Sequence, residues 1–326
     1  MLEALSVVLL TLHLLAMNLA SAGPLVCLCL RGPRGASAEI ADQLGRWLAW
    51  LSVGALVLGM LLGGALLYVP PNAALWEALG RFPTRAYWHA GLELAFSLAC
   101  LLAYAGTWRL LDRRRWLHAA LALMAASNLL YHFPPLMAVL GKLAVNPSWT
   151  ITPVIDRPAL LKLLARDDVS SLSIHFALSS LAVAGVTALV LLARRGESVW
   201  EDAAVRRTAR VTAGIALVAT ILQLPVGLWV LSTMSRVSRG ALMGASPLAS
   251  LQFLASLVLT LLLAGRLLAV ALGEARRVEV RRAGWLILCI VLLMTASMRS
   301  SRADLPANAL NASETIAATQ RVAGRP

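Results

Sequence analysis

Eight long apolar runs constrain this chain more than any other feature. They fall at 3–30, 46–69, 86–108, 117–140, 172–193, 211–232, 247–268 and 284–299. A helix needs about 20 apolar residues to cross the hydrocarbon core of a bilayer. Inside lipid every backbone N–H and C=O must be satisfied by the chain itself, which favours helices. With 59% hydrophobic and 14% charged residues among 326, no stretch between runs is long enough for a soluble domain. Only the 141–171 connection exceeds a short loop. The expectation is an all-α integral membrane protein with about eight transmembrane helices in a bundle spanning 1–299. A polar, disordered tail is expected at 300–326.

The net charge of +13 would suggest nucleic acid in a soluble chain. That reading is excluded here, because every Lys and Arg stands in a loop or near the end of a run. Seventeen of them flank the connections after the first, third, fifth and seventh runs, against 8 after the second, fourth and sixth. The richer set belongs on the cytoplasmic side. Both termini are therefore expected outside a bacterial inner membrane, with Arg113, Arg114 and Arg115 inside. The 141–171 connection then lies outside, and its stretch "RPALLKLLARDD" is expected to form a short interfacial helix. "ASAG" at 20–23 has the form of a signal-peptidase site, but Glu3 stands where a signal peptide is basic, so cleavage is not expected. Cys27, Cys29, Cys100 and Cys289 lie in or near runs, without zinc or covalent-haem spacing, and read as packing residues.

The five histidines are more informative, because ionisable residues within spans are functional-site candidates by default. With the orientation above, His13, His89, His132 and His175 all fall in the outer half of the membrane, each on a different helix. Only His118 lies at the inner end. Neutral imidazole is the common axial ligand of haem iron, and a helix-bundle core is where such sites are built. Each histidine also has a plainer reading. His13 could hydrogen-bond a neighbouring helix, and His175 could sit solvated at the interface. His132 could satisfy carbonyls freed by Pro134 and Pro135, and His89 follows the interfacial pair Tyr87 and Trp88. His118 and His132 are 14 residues apart, close to one face. No other span offers a matching pair to stack two haems between them.

Several segments resemble subunit I of the cytochrome bd-type quinol oxidases. The likeness runs over roughly residues 5–230 and rests on order and spacing. "LLTLHLLAMNLASAGPLV" is similar to the family's first helix, which implies that His13 ligates an oxygen-reactive haem. "GTWRLLDRRRWLHAALALMAASNLL" carries the family's Trp-Asp-Arg corner in weakened form at Trp108-Arg109, then its Gly-Ser-Asn-Leu as Ala126-Ser127-Asn128-Leu129. "LSIHFALSSLAVAGVTALVLLARRGE" resembles the helix whose early histidine binds low-spin haem b, which implies that role for His175. "ARVTAGIALVATILQLPVGL" then reads as the next helix.

The departures are as definite. Gln252 and Leu254 stand where the family has the methionine ligand of its low-spin haem. The quinol-binding loop shrinks to about 233–246, and the glutamate ligand of the third haem is absent with its Gly-Arg-Gln-Pro-Trp segment. The family's two acidic residues of the third helix fall at His89 and Ser97, with Glu93 one turn from His89. A replacement ligand is then expected from His132 or His89, since bis-histidine haem is chemically sound. Asn128, one turn from His132, is placed to orient that ring or bond a propionate. Pro134 is expected to let the span bend around the cofactor.

The leading expectation is thus a membrane electron-transfer protein binding one or two haem b through His13, His175, His132 and His89, a component of a respiratory oxidoreductase. Lipid surrounds it. Its electron donor would be a quinol or a cytochrome c, with a second membrane subunit as partner and no nucleic acid. The alternative is a haem-less assembly or structural subunit. A third reading is a proton-coupled carrier with Glu93 as the proton-carrying residue, although no inverted repeat is visible.

Overall fold

The computed structural model describes residues 2–31, 36–68, 73–111, 114–195, 198–274 and 276–303. The expected tail lies outside the described residues from 304 onward, as does Arg113. Positions 300–303, assigned above to that tail, instead continue the last helix.

Eight helices are long and apolar enough to cross a membrane. They are α1 (Leu2–Leu30), α2 (Ala36–Tyr68), α4 (Thr84–Gly106), α5 (Arg115–Val145), α7 (Asp167–Ala193), α8 (Ala203–Thr233), α10 (Pro247–Leu272) and α11 (Arg277–Ala303). Three short helices lie between them: α3 (Ala73–Gly80), α6 (Arg157–Leu164) and α9 (Arg236–Gly240). No strand occurs among the described residues. The expected short helix in "RPALLKLLARDD" is α6, started by Asp156, whose side chain accepts from Ala159 N.

Most spans outrun their apolar stretches because polar residues extend the helix past the hydrocarbon. Helix α8 begins at Ala203, with the Asp202 side chain accepting from Ala204 N. Helix α7 starts on Asp167 and Asp168, whose charge suits the positive end of the helix dipole. Pro134 and Pro135 lie inside α5, which continues through both to Val145. Packed neighbours make such prolines tolerable within spans.

The spans form two four-helix halves. In the first, α1 packs on α2 and α5, and α4 bridges α2 and α5; in the second, α7 packs on α8 and α11, and α10 bridges α8 and α11. The contacts between halves are reciprocal, with α1 on α7, α1 on α11 and α5 on α7. Because four crossings separate α1 from α7, the two halves enter the membrane in the same direction. This is a parallel repeat, a different symmetry from the inverted one sought in the sequence.

Small residues let the central helices approach closely. Ala20, Ala22, Ala184 and Ala188 are all fully buried in one core cluster shared by the two halves. Across that contact Ser180 Oγ donates to Asn18 Oδ1 at 2.9 Å, and Asn18 Nδ2 donates to Ser179 Oγ at 3.3 Å. The cysteines divide unevenly. Cys27 and Cys100 are buried as packing residues, whereas Cys29 and Cys289 are exposed on the helix surface.

Candidate functional site

His13 and His175 occupy equivalent places in the two halves. They are 162 positions apart, the same offset as Asn18 and Ser180, which meet across α1 and α7. The runs "LTLHLLAMNLASAG" (10–23) and "LSIHFALSSLAVAG" (172–185) share Leu, His, Leu-Ala, Ala and Gly at matching positions. Both rings therefore stand at one depth, about 7.5 Å from the Asn18–Ser180 contact. Five residues turn a helix by about 140°, so both rings face away from the α1–α7 contact.

Each ring meets a glycine on its own partner helix. A Cβ at Gly63 would stand 2.9 Å from His13 Cε1, and one at Gly227 would stand 3.7 Å from His175 Cε1. Gly63 and Gly227 are themselves 164 positions apart, the same offset as Ser52 and Ala216, which pack on Gly23 and Gly185. The missing side chain at Gly63 is thus what admits the His13 ring, whereas Gly227 only lies beside His175 at ordinary contact distance.

The hydrogen bonds of the two rings differ. His13 Nδ1–H donates to Gly59 O at 2.8 Å, which leaves Nε2 as the nitrogen carrying the lone pair. A backbone carbonyl on one ring nitrogen is the usual way a protein orients a ligating histidine. His175 Nδ1 is buried without a hydrogen-bond partner among the described residues. A buried polar atom in that state is uncommon and calls for an explanation in chemistry.

The third group gathers on α4 and α5. Asn128 Nδ2 donates to Glu93 O and to Ser97 Oγ, both at 2.8 Å. Its Oδ1 accepts from His132 Nδ1–H at 2.8 Å, so Asn128 orients that ring, and the His132 Nε2 lone pair faces outward. Glu93 Oε2 lies 3.8 Å from His132 Nδ1. The pair sits on the outside of the bundle, with side chains 40% and 42% exposed. His89, one turn before Glu93, is exposed too.

The register of the contacts gives the depths. Arg31 and His118 meet at 2.7 Å near the far end of α1 and α5. His13 is 18 residues from Arg31, and His132 is 14 residues from His118. At about 1.5 Å per residue these two rings differ in depth by about 6 Å. The four histidines singled out by sequence therefore lie toward the same end of the helices. Among the described residues no hydrogen bond or ring contact joins any two of them. His13 faces α2, His175 faces α8, and His132 faces α4.

His118 is a structural residue. It is fully buried, its Nδ1 accepts from Arg31, and its Nε2–H donates to Tyr104 O at 2.8 Å. Tyr104 stacks on the ring at 4.1 Å between centroids. With both nitrogens engaged, it has no lone pair left for a metal, which removes the stacked-haem pairing with His132.

Gln252, at the place of the missing methionine, accepts from Ser300 Oγ at 3.1 Å, linking α10 to α11. Two cavities lie elsewhere, and neither touches His13, His89, His132 or His175. One, about 350 Å³, is lined by Arg31, Asp42, Trp108 and Arg115, among others. The other, about 300 Å³, lies between α10 and α11. Among the described residues no group of three His, Cys, Asp or Glu could hold a bare metal ion. A porphyrin iron asks less, one or two imidazoles, and His13 and His132 present the required lone pair.

Sequence reasoning singled out every histidine used here but missed Gly63, Gly227 and the repeat. The signal was present in the paired runs around His13 and His175. What it defines is a multi-pass, all-α membrane protein built from two four-helix halves. No protein-family model matches the chain, and neither a curated protein nor a solved structure does.

Proposed function

We propose that this chain is a haem b protein of a bacterial inner membrane, with both termini outside, that passes electrons near its outer face. The observation that carries the reading is the duplicated imidazole-on-glycine arrangement, His13 over Gly63 and His175 over Gly227. The resemblance to subunit I of the bd-type oxidases assigns haem to the same two histidines. The residues fit the group in three respects. His13 offers Nε2 with its tautomer set by Gly59 O. His175 Nδ1 is buried without a hydrogen bond, a condition that coordination to iron would relieve. His132 is oriented by Asn128 in the manner of a supported ligand.

Because His13 and His175 face different partner helices, each half would hold its own haem. A bound haem supplies one-electron chemistry, and the chain supplies position and dielectric. Gly63 on α2 leaves room for the His13 ring, and Gly227 on α8 stands beside His175. His132 and His89, on the exposed α4–α5 side, remain the candidates for a further ligand, contributed at a boundary with a second subunit. The test is haem content per chain by pyridine haemochrome on protein purified from haem-replete cells, together with a reduced-minus-oxidised spectrum. One or two haems per chain are expected, and His175→Ala should remove a low-spin signal. A haem-free protein ends the reading.

A second reading is favoured by the Glu93–His132 pair, an ionisable couple at membrane depth held by Asn128 and Ser97. Such groups mark proton paths in carriers. It predicts that proteoliposomes of the wild type dissipate an imposed pH gradient and that Glu93→Gln liposomes do not. Equal rates would reject it.

A further inference from the structure

The α10–α11 surface carries a groove whose two ends differ in chemistry. Leu259, Leu262 and Arg266 line it from α10, and Arg282, Trp285, Leu286 and Cys289 line it from α11. Since these helices are consecutive antiparallel spans, Arg266 and Arg282 fall together at the end nearest their connection. Leu259 and Cys289 fall together at the other end, seven residues or about 10 Å deeper. The floor is apolar throughout, and the volume is about 300 Å³.

At the mouth one carboxylate holds two guanidiniums. Arg266 lies 2.7 Å from Glu279 Oε2, and Arg282 lies 2.9 Å from Glu279 Oε1. The three side chains carry a net charge of one positive unit. Both arginines keep substantial exposure, 44% and 59%, while Glu279 is mostly covered. Both guanidiniums thus stay partly open near the connection of the two spans, with Trp285 lining the same groove. Indole is the side chain most at home at a membrane boundary.

We propose that this groove is a built site for one anionic phospholipid. Its phosphate bonds Arg266 and Arg282, and one acyl chain lies along Leu262 and Leu286 towards Leu259 and Cys289. The charge argument selects the lipid class. A phosphodiester with an uncharged headgroup brings one negative charge to a mouth of one positive charge. A zwitterionic headgroup brings an ammonium that the two arginines repel. The groove selects a lipid over a free phosphate, because only a lipid fills the apolar floor. This inference is independent of the haem reading, since no histidine takes part.

The test uses the full chain, delipidated in mild detergent and titrated by native mass spectrometry. The probes are dioleoylphosphatidylglycerol, dioleoylphosphatidylcholine and glycerol 3-phosphate. The wild type is expected to bind the phosphatidylglycerol roughly tenfold or more tightly than the phosphatidylcholine. The Arg266→Gln/Arg282→Gln double variant should lose that preference, and Leu262→Trp should weaken both lipids by filling the groove. Glycerol 3-phosphate should not compete. An unchanged preference in the double variant overturns the proposal, and so does competition by glycerol 3-phosphate, which would mean an anion site without a groove. A second measurement needs no charge variant. Phosphatidylglycerol with brominated acyl chains should quench a fluorescence component of the wild type that Trp285→Phe lacks. Identical quenching in the two proteins also overturns it.

Discussion

Asn18 and Ser180 meet across the centre of the molecule, the serine hydroxyl donating to the amide oxygen at 2.9 Å. This contact lies five residues from both His13 and His175, so it marks their common depth. Asn18→Leu should therefore loosen the junction of the two halves. The expected loss is about 1 kcal/mol, the usual scale for a hydrogen bond between spans. Ser180→Ala should cost less, because Asn18 retains its bond to Ser179. Unfolding in detergent mixed with increasing dodecyl sulfate measures both.

The glycines facing the two histidines should respond unequally. Gly63→Ala places a methyl group 2.9 Å from His13 Cε1, so the ring or α2 must shift, at about 1–3 kcal/mol for overpacking. Gly227→Ala brings its methyl only to 3.7 Å from His175, an ordinary contact, and should be close to neutral. If haem is bound, the first variant alone should alter the visible spectrum. Thermal melts of the two alanine variants, recorded side by side, check the inequality.

His118→Ala should be among the most destabilising single changes in the chain. It removes a partner of the largely buried Arg31, strips a donor from Tyr104 O and opens a cavity under the Tyr104 ring. Together these cost about 3 kcal/mol. If haem is bound, the visible spectrum of whatever protein survives should be unchanged, because both His118 ring nitrogens are engaged within the protein.

Asn128→Leu should destabilise more than His132→Leu does. The asparagine ties α5 to Glu93 O and Ser97 on α4, whereas the His132 ring is half exposed and bonded to Asn128 itself. A difference of about 1–2 kcal/mol is expected in chemical unfolding. A larger effect from His132 would show that its ring carries structure instead of facing a ligand or partner.

Arg81 should act as a clasp on the connection between α5 and α7. Its guanidinium donates to the carbonyls of Pro147, Thr150 and Thr152, and its own carbonyl accepts from Ile155 N. Arg81→Ala should leave three carbonyls unserved and speed protease nicking within 147–155, while the spans stay intact. Limited proteolysis with the fragments identified by mass gives the answer.

Much of the fold was legible because the bilayer is an unforgiving solvent. Runs of apolar residues near twenty long have one low-energy state there, and all eight appear as helices. The residues beyond each run were less legible, since capping by Asp202 and the polar start of α7 extend helices through residues that hydropathy scores as loop. The candidate site was legible in part. Depth along a helix follows from counting residues, so the nearness in depth of His13, His132 and His175 could be read directly.

Direction around the helix axis could not be read in that way. Whether His13 turns to α2 or α7 depends on which helices pack side by side, and that is settled by small residues such as Ala22, Gly23 and Ala184 meeting across chain segments far apart in sequence. The amino-acid order alone therefore determined how many times the chain crosses the membrane and how deep each imidazole lies. Only the tertiary structure decided that the rings face separate partner helices and that His118 is locked between Arg31 and Tyr104. Burial in lipid is a local property of each segment, whereas the azimuth of a side chain belongs to a packed pair.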